Sequence, residues 1–421
     1  MKLKYVRSVY FIILNNKIGF FCCKTFFSII RFIFALLTNK NNNIVLFGAM
    51  NGIKYGDNAK RLYEYMLRNH EDIECYWMTN SLKVWKKLKN DKLPVKLSWT
   101  FSGLWVLNLA KIGCYCNTLR DLSFDPLIIP DNISLISLRH GISVKGGGFS
   151  LNNYNDRYND FIKYFHKLEY SKISYVISTS EYITSLIDKK EKNGIEKYII
   201  TGFPRLDSLI DPLNGSKELF YEKILGNKKY TQILLYAPTW RDGIKPTKFF
   251  PFDDFEIKSL YKFLINKNIK LLIRPHIGDF LHFPKLKKKL DDIEYNSNGF
   301  ISIVNHNKCE DLYVILPYID ILLTDYSSIY HDFLLLDRPI YFIPYDYSYY
   351  KNFFGFLYDY KKEKPGPEIL TFADFVNELE NSLNGVDKYI NKRNMLKNKI
   401  HFYQDAKASE RVAEKIIEMI A

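Results

Sequence analysis

The chain reads as an α/β protein made of two Rossmann-like domains facing a cleft, and three stretches of its 421 residues carry that reading. Residues 320–345 hold an apolar run at Ile321–Leu323 and the polar turn Thr324-Asp325-Tyr326-Ser327-Ser328. Apolar residues at helical spacing follow at Ile329, Phe333 and Leu336. Asp337-Arg338-Pro339 breaks that helix, and a second apolar run covers Ile340–Ile343. Strand, turn, helix, strand is the unit of a parallel sheet. The same order opens earlier, with strand Ile44–Phe47, the glycine-bearing loop Gly48–Gly56, a helix from Asp57 to Arg68 and strand Glu74–Met78. Between the two lies a shift in composition at Asp211–Lys229, where Pro212, Asn214, Gly215, Gly226 and Asn227 mark a linker.

Each series continues by alternation. In the first, strands are expected at 110–116, 134–138, 175–179 and 197–200, with a helix carrying Ile183, Leu186 and Ile187. In the second they are expected at 232–236, 269–273, 301–304, 321–323 and 340–343, with helices near 255–266 and 310–317. Residues 407–420 place Ala408, Val412, Ile416, Ile417 and Ile420 on one face of a closing helix. The expected division is a helix and linker at 1–43, domains at 44–211 and 212–400, and the closing helix within 401–421. The first glycine loop lacks G-x-G-x-x-G and does not make a dinucleotide site.

A hydrophobic content of 47% is enough for two cores. The net charge of +14 favours anionic partners such as nucleotides, phosphate polymers or acidic lipid. Nucleic acid is not expected, because no RNA-recognition signature, zinc-finger spacing or basic arm with interleaved aromatics is present. The six cysteines make no C-x-x-C pair and no Cys/His cluster, as in a reducing compartment.

Residues 1–40 contain no acidic residue. The run Ile18–Leu37 is long enough to span a bilayer, but Lys24 and Arg31 lie inside it. Lys17, Lys24, Ser28 and Arg31 share one helical face, with Phe and Ile over the rest. The expectation is a helix lying on an anionic membrane surface with its cations towards lipid headgroups, ahead of a helix buried on the protein body and of a true span.

Local chemistry narrows the function. Ser327 and Ser328 at a helix start suit a phosphate or pyrophosphate, although Asp325, Ser327 or Ser328 as a simple cap is the blander alternative. His140 follows a strand, and Gly141 allows the tight turn that projects an imidazole from the sheet edge. Arg274 and His276, separated by Pro275, follow another strand, as an anion fork and a donor.

T-D-Y-S-S-x-x-x-D-F with D-R-P-I, together with L-R-H-G-I-S-V-K at 138–145, T-G-F-P-R-L-D at 201–207, L-L-Y-A-P-T-W-R-D at 234–242 and L-I-R-P-H at 272–276, resembles the CDP-glycerol glycerophosphotransferase family, whose members build teichoic-acid-like polymers. The blocks stand in the family's order over roughly residues 44 to 350. The usual W-H-G-T-x-x-K departs here, with Arg139 for the tryptophan and Ile142 for the threonine.

The resemblance implies a GT-B-like pair of domains, acceptor side first and nucleotide-donor side second. It implies His140 and His276 as catalytic residues. It also implies donor or phosphate contacts from Arg274, Ser327, Ser328, Asp332, Thr239 and Arg241, and acceptor binding by Lys145. Asp332 is read as a ribose contact or as an ordering residue, Trp240 as cleft lining or core, and Arg205 as hinge or site. The implied donor is CDP-glycerol or CDP-ribitol and the implied acceptor a lipid-linked or polymer hydroxyl. The enzyme is placed peripherally on the cytoplasmic face of the membrane. No cofactor is expected, and no D-x-D or carboxylate pair suggests an essential metal. The rival readings are a GT-B glycosyltransferase using a nucleotide sugar and a non-catalytic membrane scaffold.

Overall fold

The computed structural model describes residues 16–146, 160–191 and 194–421. The chain divides into two compact units. The first holds 16–140, 160–205 and 407–421 of the described residues, and the second holds 141–146 and 206–406.

The first unit is a seven-stranded sheet of β1 (Asn41–Gly48), β2 (Glu74–Thr79), β3 (Val95–Leu97), β4 (Ala110–Tyr115), β5 (Ser134–Ser137), β6 (Ile173–Ser178) and β7 (Tyr198–Ile200). Its order is β3-β2-β1-β4-β5-β6-β7, parallel at every pairing. The second unit is a five-stranded parallel sheet of β8 (Gln232–Tyr236), β9 (Ile269–Ile273), β10 (Ile301–Ile303), β11 (Ile321–Thr324) and β12 (Ile340–Phe342), in the order β10-β9-β8-β11-β12. Both are doubly wound sheets whose order reverses next to the first strand. Ligands of such sheets bind beyond the strand ends at that reversal: β1 with β4, and β8 with β11.

The strands form because their apolar runs are buried on both faces. Ile44 through Phe47 and Leu271 through Ile273 are buried without alternation, the mark of a parallel sheet covered on both sides. The second core gathers Leu234, Leu271, Ile321, Leu323, Phe375 and Leu379. The short strand β3 was not foreseen; three residues with a lysine at the centre carry little periodic signal. Residues 310–317, expected as a helix, form two 3-10 turns at Leu312–Val314 and Leu316–Tyr318, because Pro317 cannot supply a backbone donor to a continued helix. The helix Ala408–Ile420 belongs to the first unit, where Arg411 Nε donates to the Thr201 carbonyl at 2.9 Å.

The helix Lys17–Leu37 exists, and two of its cations find partners on the protein, Arg31 half-buried and Lys24 still exposed. Arg31 pairs with Asp131 at 3.0 Å, and the Lys24 ammonium sits 4.8 Å from the centre of the Tyr164 ring. Phe27 and Phe34 are buried against Phe124 and Phe101. Ile18, Phe21, Ile29, Phe32 and Leu36 are exposed instead. Arg31 is thus turned to the exposed carboxylate of Asp131 rather than away from the protein, while Lys24 stays exposed beside the Tyr164 ring.

Candidate functional site

In the first unit the chemistry centres on His140. Arg139 adopts φ 51° and Gly141 φ 136°, so the backbone is left-handed on both sides of the histidine. A side chain at 141 would be strained there, which is why a glycine fits. Arg139 is held by Glu191, with Nη1 at 2.9 and 2.8 Å from the two carboxylate oxygens. The buried Asn58 amide donates to the carbonyls of Leu138 and Arg139, both at 2.8 Å. Arg205, also buried, donates from Nη1 to the His140 carbonyl at 2.6 Å and to Asp57 Oδ1 at 2.7 Å.

His140 is open to solvent at its surface and crowded behind. That crowding by protein atoms is the largest influence and pushes its pKa below the ordinary value. The Asp57 charge works the other way, the Arg139 and Arg205 charges assist the lowering, and the Cys116 backbone opposes it. The neutral imidazole is the form that accepts a proton.

In the second unit, the turns after β8 and β11 are tied together at the reversal of the sheet. Asp325 Oδ1 accepts from Thr239 N at 2.8 Å and from Thr239 Oγ1 at 2.6 Å. Its other oxygen lies 2.9 Å from Arg241 Nη1. Arg241 also pairs with Asp346, at 3.0 Å from Nε and 2.8 Å from Nη2, and donates to the Thr239 carbonyl. Burial alone would lower the Arg241 pKa; the Asp325 charge and the Asp346 hydrogen bond reverse that and raise it.

Arg241 is therefore a correction to the expectation of a phosphate contact. Its guanidinium is fully buried between two carboxylates, and no oxyanion reaches it without displacing one of them. Thr239 likewise spends its hydroxyl on Asp325. Of the two readings of Asp332, the geometry fits the ordering residue rather than the ribose contact: it is buried and accepts from the Tyr313 hydroxyl in the 311–318 segment.

His276 caps the helix Ile277–His282, its Nδ1 accepting from Gly278 N at 3.0 Å. In the neutral ring this puts the proton on Nε2, the donor an oxyanion needs. Trp240 stacks on it, ring centres 4.7 Å apart and planes 16° apart. Arg274 Nη1 donates to the carbonyls of Val304 and Cys309 at 2.9 and 2.6 Å, and Nη2 lies 3.1 Å from His306 Nδ1. A phosphate contact through Nη1 would need the 304–309 loop to let go.

Ser327 and Ser328 are half-buried, and Ser328 stands at the cap position of the helix Ile329–Phe333 without a side-chain capping bond. Lys145 belongs to the second unit rather than the first, with Asp242 at 2.9 Å and the Phe354 ring beneath it. An exposed pair of this kind is weak and exchanges readily. Among the described residues no group of three or more His, Cys, Asp or Glu could hold a metal ion.

The family described as CDP-Glycerol:Poly(glycerophosphate) glycerophosphotransferase matches residues 30–418. The chain belongs to this family. It is 27% identical over 387 residues to a teichoic acid glycerol-phosphate transferase of Staphylococcus aureus, covering 90% of this chain and 94% of the relative. A teichoic acid poly(glycerol phosphate) polymerase of Bacillus spizizenii is 27% identical over 374 residues, covering 85% and 88%. The wall teichoic acid polymerase TagF superposes with a TM-score of 0.75 at 23% identity, over 93% of both chains, which shows a shared fold.

This glycerophosphotransferase is thus a transferase of the TagF fold. Its blocks around His140, Arg274–His276 and Ser327–Ser328 are the ones legible in the sequence. Asp57, Asn58, Asp346 and His306 were not singled out. Asp57 and Asn58 sit 80 or more residues from the loop they hold, and no local pattern links them to it.

Proposed function

We propose that the chain transfers glycerol phosphate, or a related polyol phosphate, from CDP-glycerol to an acceptor hydroxyl and releases CMP, in teichoic acid or capsular polymer synthesis. The observation that carries this is the family match across residues 30–418. CDP-ribitol is the alternative donor, and the acceptor is a lipid-linked or polymer hydroxyl.

In the proposed reaction a His140 ring nitrogen takes the proton of the acceptor hydroxyl, and the oxygen forms a bond to the β-phosphorus. The bond from that phosphorus to the bridging oxygen breaks, and CMP leaves with the electron pair. His276 donates from Nε2 to the phosphate oxygens as charge gathers there, and Ser327 and Ser328 bind the same group. Arg274 contributes positive charge nearby and holds the 304–309 loop. Positioning and charge stabilisation supply most of the rate, as in other phosphoryl transfers.

The exposed apolar face of Lys17–Leu37 supports peripheral attachment to the cytoplasmic face of the membrane. The helix is also long and apolar enough to cross a bilayer. Purified protein with labelled CDP-glycerol, CDP-ribitol and UDP-sugars, and a membrane acceptor, tests the reading. CMP release with a CDP-polyol supports it; transfer from a UDP-sugar alone would replace it with glycosyl transfer.

A further inference from the structure

His140 stands at the end of a segment whose backbone is held more firmly than a surface turn requires. Three consecutive carbonyls, those of Leu138, Arg139 and His140, each accept from a buried side chain. Asn58 takes the first two and Arg205 the third, and the Arg205 N–H donates to Asn58 Oδ1 at 3.1 Å, which joins the two side chains into one clamp.

Asp57 completes it. Its Oδ1 accepts from Arg205 Nη1 at 2.7 Å and from the Asn58 N–H at 2.9 Å. One nitrogen of Arg205 thus bridges the Asp57 carboxylate and the His140 carbonyl. Asp57 begins its helix with φ 64°, a left-handed value that a helix start does not need and that costs free energy unless the surroundings enforce it. A plain capping residue would reach the helix amides from a right-handed or extended backbone.

We infer that Asn58, Arg205 and Asp57 are positioning residues for His140: Asn58 and Arg205 fix the backbone that carries the ring, and the Asp57 carboxylate sets the charge against which the ring takes its proton. This rests on His140 being the base proposed above. None of the three needs to touch substrate. The charged groups that act on the ring are Asp57 from the helix 57–69, Arg205 from the turn after β7 and Arg139 from its own loop, with Glu191 behind Arg139, and the Cys116 backbone after β4 is hydrogen-bonded to it. Of these, Asp57 is the anion that favours the charged imidazole.

The test uses full-length protein. The His140 imidazole is titrated by NMR, its signal assigned by its loss in His140→Ala, and kcat and KM for CDP-glycerol are measured across pH. Asp57→Asn is expected to move the His140 midpoint, and the acid limb of kcat/KM with it, to lower pH. It should lower kcat roughly 10- to 100-fold at neutral pH with KM little changed. Asp57→Glu restores part of both.

Asn58→Ala and Arg205→Lys are expected to lower kcat by a similar factor. Asn58→Ala removes no charge and should leave the limb in place. An unmoved His140 midpoint in Asp57→Asn, or full kcat in both folded clamp variants, overturns the inference. Normal turnover in His140→Ala overturns the base assignment instead, and the titration still reports whether Asp57 governs the ring.

Discussion

Trp240 lies flat on His276, ring centres 4.7 Å apart, while the Gly278 N–H holds the other edge of the imidazole at Nδ1. The two contacts fix both the plane and the tautomer of the ring. Gly278 is part of this arrangement because a Cβ there would stand 2.6 Å from two atoms of the Trp240 indole. Gly278→Ala is therefore expected to push the rings apart, cost about 1–3 kcal/mol in stability and lower kcat more than it raises KM. Chemical denaturation and steady-state kinetics on the same preparation check this; a neutral outcome in both would show that the stack does not constrain His276.

His140→Ala is expected to lower turnover by roughly 10²- to 10⁴-fold, the usual contribution of a positioned base. Binding of CDP-glycerol, measured by calorimetry, should stay within a few-fold of the parent. A variant that turns over normally removes His140 from the reaction.

Arg241 separates a structural role from a ligand role. Arg241→Met leaves Asp325 buried without a cation and Asp346 with Lys245 alone, and the loss should be about 3–5 kcal/mol of stability. Burial works to raise the Asp346 pKa, but the Arg241 hydrogen bond and charge outweigh it and hold it low in the native protein. A folded Arg241→Met variant of normal melting temperature, with only donor affinity reduced, would return Arg241 to the phosphate site.

Glu169 gives a pH signature. Burial, with smaller additions from the Asp121 and Glu191 charges and against the influence of Tyr115, pushes its carboxyl up from 4.5 to about 7. Between those values the native protein binds the proton more tightly than the unfolded chain, so this group's contribution to stability falls as pH rises across the window. Glu169→Gln should therefore have a urea midpoint that drops less than the parent's between pH 5 and 8. Parallel curves for the two proteins would contradict the assignment.

The outward face of Lys17–Leu37 predicts lipid binding through apolar side chains rather than through Lys24 and Arg31. Phe21→Glu with Phe32→Glu should abolish co-sedimentation with phosphatidylglycerol vesicles, since burying each phenylalanine is worth about 1.5–3 kcal/mol. Arg31→Gln should leave vesicle binding nearly intact and weaken the packing of the helix on the protein. The reverse pattern would restore the orientation expected from the sequence.

Much of this was readable in one dimension. The apolar runs Ile44–Phe47, Leu271–Ile273 and Ile321–Leu323 announce buried parallel strands because nothing polar interrupts them. The five blocks of the glycerophosphotransferase family lie at strand ends, where backbone direction alone brings residues to the sheet edge. The cations at 24 and 31 were equally visible, but helical spacing says only that they share a face. What those cations meet is set by Asp131 and Tyr164, a hundred or more residues away.

By itself, then, the order of residues determined the two doubly wound sheets, the family and the location of the histidines, because those follow from local periodicity and short motifs. Tertiary structure decided which polar groups are available. Arg241 and Asp332 carry the right chemistry for a ligand and are consumed by buried partners brought in from residues 346 and 313. Asp57, Asn58 and Arg205 look unremarkable in sequence and converge on one histidine, because only the folded sheet closes the distance between residues 57, 140 and 205. A buried hydrogen bond or ion pair is a property of pairs, and a single sequence does not print its pairs.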